Sequence, residues 1–357
     1  MADSSCGRCL FALVFAVAAA GHGHGALTTA ERLDILWDRA IRQTDFGKAA
    51  DAEASARLAL RIAPDRADAW AVAAVVYAAT PAGGRPALAR EAAERAMALD
   101  PGNARAHYAM GVVDYASGDA AAAEARFRRA AELCEGFARA HGMQAWALWD
   151  LGRYDEGVAA TRRAVHLEPR GFYWHQNLAI MLGELGELDA ALEESALALE
   201  LAPGDQWKAV AYNNRAYLHA YSDELAEALA AAEAALALSP DDPAVLDTAG
   251  LVCALDGQVG RAEGYLRRAL AGGYASLPKL AYVLAIKGDD SGAREALRQS
   301  RGDLMGPGAA MDALYAAGLA YERLGDPEVT RRIFRQTATL RPTHPWSQAM
   351  RQHLADG

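Results

Sequence analysis

Small and apolar residues recur along this chain at helical spacing, and the whole arrangement then recurs with a longer step. Between Phe172 and Asp205 the first apolar group is Leu178, Ala179 and Leu182, and the second is Ala191, Ser195 and Ala198. Spacings of three, four and seven place each group on one face of a helix. Gly186 lies between them, where a left-handed backbone ends a helix without a Cβ penalty. Pro203 follows the second group and cannot continue it. The segment therefore predicts two antiparallel helices joined by a short turn. Gly118, Gly152 and Gly186 stand 34 residues apart in turn, as do Ala130, Ala164 and Ala198. Pro169 and Pro203, Asp223 and Gly257, and Ala235 and Ala269 keep the same step. A fixed period of this length means stacked hairpins, each burying its apolar face against its neighbours. β-Branched residues are scattered and alanine dominates, so the expected class is all-α.

The register extends over about nine units. The first spans Leu33 to Arg66, and the others start near Ala67, Ala104, Ala138, Phe172, Ala209, Pro243, Leu277 and Met311. The second has a long inter-helix loop, Thr80 to Pro86, and the unit around Leu277 is the weakest. The Leu-Gly, Tyr, Ala, Phe, Ala and Pro positions of these units resemble the tetratricopeptide repeat (TPR). That resemblance implies an α-solenoid, a right-handed superhelix of TPR-like hairpins, over residues 31–342. A final helix over 343–357 would cap it. Trp346, Met350 and Leu354 fall on one face of that helix, with Arg351, Gln352 and His353 elsewhere.

The first 20 residues break the pattern. Arg8 precedes an apolar run from Cys9 to Ala20, and small residues then lead to Gly21. This reads as a secretory signal peptide over 1–20, cleaved near Ala20 or Ala26, with a flexible linker over 21–30. The run is too short to span a bilayer comfortably, so no stable transmembrane anchor is expected after cleavage. The expected location is periplasmic or secreted. A formal charge of −10 disfavours nucleic acid as a partner. Cys134 and Cys253 fall in units too far apart to bridge, since bonded cysteines have Cα atoms within about 7 Å.

Catalytic and cofactor motifs are missing from the sequence. No H-E-x-x-H, G-x-S-x-G, phosphate-binding loop or calcium loop occurs. Gly21 to Ala26 matches a dinucleotide fingerprint in letters only, because no strand precedes it and no βαβ unit surrounds it. His141 and His175 share the fourth position of a unit and read as satisfied structural histidines. Glu124 with Arg126 reads as a solvated second-helix face. The expectation is a non-enzymatic protein with no cofactor and no metal.

In the TPR family the first helices line a concave surface. Carrying the family's ligand-facing positions onto this chain selects Tyr108, Tyr115, Arg139, Trp146, Tyr173, Gln176, Asn177, Asn213, Asn214, Tyr217 and Tyr221. Aromatic rings give rigid contact area, and Asn amides can both donate to and accept from a peptide backbone. The implied partner is a protein or an extended peptide in this groove. Trp149 and Tyr154 read as filler between helices. The lysine–asparagine clamp for a terminal carboxylate is not matched around Asn177 and Asn214. The expected role is an exported scaffold for protein–protein interaction, in assembly of an envelope complex. One alternative is a non-catalytic accessory subunit of an envelope glycosyltransferase or hydrolase. The other is an enzyme with a site in the groove.

Overall fold

A computed structural model describes residues 27–79, 85–305 and 310–356. The expected signal peptide and the cleavage sites lie outside these residues. Every described element is helical. Helices come in antiparallel pairs: α1 (Thr29–Asp45) with α2 (Ala49–Ile62), α3 (Ala67–Ala78) with α4 (Pro86–Leu99), α5 (Ala104–Ala116) with α6 (Ala120–Leu133), and α7 (Ala138–Asp150) with α8 (Tyr154–Leu167). These form one compact unit, which ends at Pro169. A second begins at Arg170. It pairs α9 (Phe172–Glu184) with α10 (Leu188–Leu201), α11 (Asp205–Tyr221) with α12 (Leu225–Leu238), α13 (Pro243–Leu255) with α14 (Val259–Ala271), and α15 (Leu277–Lys287) with α16 (Asp290–Gln299). The short α17 (Arg301–Met305) precedes the pair α18 (Met311–Arg323) and α19 (Pro327–Leu340), and α20 (Pro345–Asp356) ends the chain. The described residues thus hold nine hairpins, as the period implies.

The local signals act as their chemistry predicts. Thr28 caps α1 reciprocally with Glu31: the Glu31 amide donates to the Thr28 hydroxyl at 3.3 Å, and the Thr28 amide donates to the Glu31 carboxylate at 2.8 Å. This box starts the helix at Thr29, so the last two positions of the expected linker over 21–30 are helical. The 34-residue glycines sit where a left-handed turn is needed, with φ of 81° at Gly118, 74° at Gly152 and 82° at Gly186. Asp223 takes the equivalent place at φ 60°, which a short polar side chain tolerates.

A second glycine set allows close helix approach. The ring of Phe127 lies against Gly111, and that of Phe334 against Gly318; Leu266 does the same at Gly250. A Cβ on Gly318 would stand 2.0 Å from the Phe334 ring. Gly318→Ala is therefore expected to cost about 1–3 kcal/mol through overpacking. An unchanged urea midpoint would show that Phe334 can move aside.

In the first unit the core joins Trp37, Tyr108, Phe127 and the α3 valines. In the second, one cluster gathers Leu251, Met311, Leu314, Phe334, Trp346 and Met350. It includes the cap: Trp346 and Met350 are buried, Leu354 packs beside them, and Arg351 and Gln352 are exposed. Cys253 is a buried free thiol.

Candidate functional site

The first-helix face of each unit is the candidate site, and each is described by itself. In the first unit, charged side chains tie non-adjacent first helices together. Arg105 on α5 donates to Asp34 on α1 at 2.7 Å, and its guanidinium stands 5.0 Å from the Trp37 ring. Arg139 on α7 donates to Asp45 at the end of α1 at 3.0 Å. Between these pairs Asp38 is pushed above the usual carboxylate range by burial, against the opposing pull of Arg105 and Arg42.

Arg139, expected in the groove, is thus tied internally to Asp45. Tyr108 is not a groove residue. It is buried, its ring 5.7 Å from Trp37, 5.5 Å from Phe127 and 5.2 Å from Phe137. Burial pushes its hydroxyl up to about 12. The face it occupies is closed by Trp37 from two hairpins away, which single-unit reasoning does not see. Tyr115 is half-buried, and burial with a hydrogen bond to Asp150 raises its hydroxyl. Trp146 is half-buried on α7. Trp149 is buried edge-on to Tyr154 at 4.8 Å, so this pair is filler. Glu124 corrects the expectation of a solvated face: it is buried and accepts from Gln144 at 3.0 Å.

In the second unit Tyr173 joins Phe172 and Trp207 in a three-ring cluster, with centroids 5.4 and 5.1 Å away. Gln176 is buried, which removes it from an open groove; neither amide atom has a hydrogen-bond partner among the described residues. Asn177, Asn213 and Asn214 are half-buried on α9 and α11. His175 is satisfied by the Glu194 carboxylate at 2.6 Å.

Tyr217 and Tyr221 are half-buried and already engaged within the chain. The Tyr217 hydroxyl donates to Asp312 at 3.0 Å. Beside it the Lys279 ammonium is shared between Asp312, at 2.5 Å, and Asp247. Ser276 donates to the other Asp247 oxygen at 2.5 Å. Asp247 is 0 % exposed and Lys279 4 %. Burial raises the Asp247 carboxyl. Burial alone would also raise that of Asp312, but Lys279 and the Tyr217 hydroxyl hold it below its ordinary range. Burial and three neighbouring acidic groups push the Tyr221 and Tyr217 hydroxyls well up.

Tyr221 donates to Glu184 at 3.4 Å, and the same carboxylate receives Arg341 and lies 3.4 Å from the His344 ring. The Tyr221 ring meets His344 at 5.3 Å and Trp346 at 5.6 Å. Tyr315 stacks on Trp346 at 4.5 Å. The segment after α19 therefore lies on this unit's first-helix face. Sequence reasoning missed Asp247, Lys279 and Asp312. Their signal was a charge in the first half of each of three largely apolar first helices.

No group of ligating side chains suited to a metal occurs among the described residues. No described helix is long and apolar enough to cross a membrane.

A family profile for the tetratricopeptide repeat matches residues 143–206. No curated protein matches the chain in sequence. Among solved structures, a tetratricopeptide repeat protein from Parabacteroides merdae aligns with TM-score 0.50 and 14% identity, covering 66% of this chain and 93% of its own. PilF of Pseudomonas aeruginosa aligns at 0.46 and 20% identity, covering 61% and 96%. YrrB, described as a TPR protein with an unusual peptide-binding site, aligns at 0.41 and 22%, covering 54% and 95%. Residues 143–206 thus match the tetratricopeptide repeat family, and the nine described hairpins, with turn glycines one period apart, carry a helical-hairpin repeat of the same kind.

Proposed function

We propose that this protein is an exported, non-catalytic scaffold that holds a polypeptide partner on its first-helix faces and serves assembly of an envelope complex. The observations that carry the reading are half-buried Trp146 on a first helix of the first unit and, taken separately, half-buried Asn177 and Asn214 on first helices of the second. Rings and amides of this kind suit an extended backbone. Export rests on Arg8 and the apolar run from Cys9 to Ala20. N-terminal sequencing of the native protein should start near Gly21 or Leu27, and recovery of Met1 from cytosol would refute export.

Binding is tested on a partner co-purified with the full chain. Trp146→Ala should weaken it by about 2 kcal/mol, roughly thirtyfold, and Asn214→Ala by nearer 1 kcal/mol. Arg128→Ala, on an exposed second-helix position, should leave it unchanged. Normal binding by both variants with intact folding would exclude these first-helix faces as the partner site.

A further inference from the structure

The segment that follows α19 has the composition of a ligand and sits where one would. Leu340 ends α19 largely exposed, and the chain then turns inward through Arg341 and His344 to Trp346. Glu184, on α9, takes the two basic groups together. Tyr315 and Tyr221 grip the indole from its face and its edge. Met350 then fills the floor beside Leu251. The receiving groups come from α9, α11, α13 and α18, all first helices, and include Tyr221, a position that the repeat pattern assigns to ligand contact. At Gly186 the backbone of Thr343 comes so near that a Cβ would lie 2.9 Å from its carbonyl oxygen.

The fit is incomplete in one respect. The indole N–H of Trp346 is buried and has no acceptor among the described residues, nor has the Ser347 hydroxyl. A buried donor left unpaired is penalised by its full desolvation. A phenyl ring in the same place would carry no such penalty. Tethering offsets the penalty, because a covalently linked segment competes at high effective concentration.

We infer that the first-helix face of the C-terminal unit is a receptor for a polypeptide carrying basic groups followed by an aromatic anchor, and that Arg341–Met350 occupies it as a tethered stand-in. A partner with Arg, then a second base, then Phe or Tyr binds by displacing this segment. The inference deepens the scaffold reading by naming a partner chemistry. Its test needs no natural partner, so its failure leaves the Trp146 and Asn214 experiment standing.

The probe is a fluorescein-labelled synthetic peptide of residues 340–357 in which Phe replaces the tryptophan, titrated against the full chain by anisotropy. Trp346→Ala loosens the tethered segment and should bind the peptide at least about tenfold more tightly than the unaltered chain. Adding Glu184→Gln should remove most of that gain by deleting the charge-assisted contact. Should Trp346→Ala unfold by circular dichroism, Arg341→Ala, whose side chain is one-third exposed, carries the same comparison. A folded variant that binds no better than the unaltered chain, or a gain that survives Glu184→Gln, would overturn the inference. So would light scattering that finds the unaltered chain dimeric and Trp346→Ala monomeric, since the segment would then be exchanged between copies.

Discussion

Lys279→Ala is expected to destabilise the C-terminal unit by about 3–5 kcal/mol, because it strands two carboxylates in the interior. Asp247 has no exposure to water and Asp312 little, and each depends on the one ammonium between them. Urea unfolding followed by circular dichroism measures the loss. The cost should belong to the stranded charges and not to the missing alkyl chain. Lys279→Met with Asp247→Asn and Asp312→Asn, which removes charge and keeps volume, should recover most of the stability. If the single and triple variants are equally unstable, the cluster is packing and its charges are incidental. The pH dependence follows with opposite signs on its two sides. The Asp312 carboxyl is held low, so its contribution is present above the unfolded value and lost as pH falls through the folded one. Lys279 is held well above its ordinary value by Asp312 and its neighbours, against desolvation. Its contribution is complete below the unfolded value and lost only as pH rises through the folded one. The Asp312 share should therefore be flat near neutrality and fall in acid, while Asp247, whose carboxyl burial raises, acts in the opposite sense as it takes up its proton; both shares should be missing from the triple variant.

Phe334→Ala is expected to cost a similar amount, about 3–5 kcal/mol. The ring is fully buried, lies across Gly318, stacks on Tyr315 at 5.7 Å and meets His353 edge-on at 5.2 Å. Because Gly318 offers no side chain, nothing from that position can fill the void. Phe334→Leu should recover a large part of the loss, and Phe127→Ala over Gly111 should repeat the effect in the N-terminal unit. A midpoint that barely moves in either case would mean that the hairpins close without their central ring.

The hairpins were legible because their determinants are local and periodic. Gly186 marks a turn by its backbone freedom, Phe127 and Phe334 lie opposite glycines sixteen positions earlier, and Trp149 fills against its near neighbour Tyr154. At Trp146, Asn177 and Asn214, where neighbouring units decide exposure, the repeat position was enough to place a half-buried residue on a first helix. It failed where the partner comes from several hairpins away at a separation that is no multiple of the period. Trp37 covers Tyr108, Asp312 engages Tyr217, and Arg341 with Trp346 covers Glu184 and Tyr221. A repeat reading gives each unit contacts to its neighbours alone, and these closures are made across the first-helix face.

The measurement that bears most directly on the scaffold reading is site-specific photo-cross-linking in the native host. A photoreactive phenylalanine analogue is placed in turn at Trp146, Asn214 and Arg128, and the captured polypeptides are identified by mass spectrometry. One and the same polypeptide is expected to be captured at positions 146 and 214 and not at 128. Capture at 128 equal to that at 146 and 214, or no capture at either first-helix position, would contradict the scaffold reading.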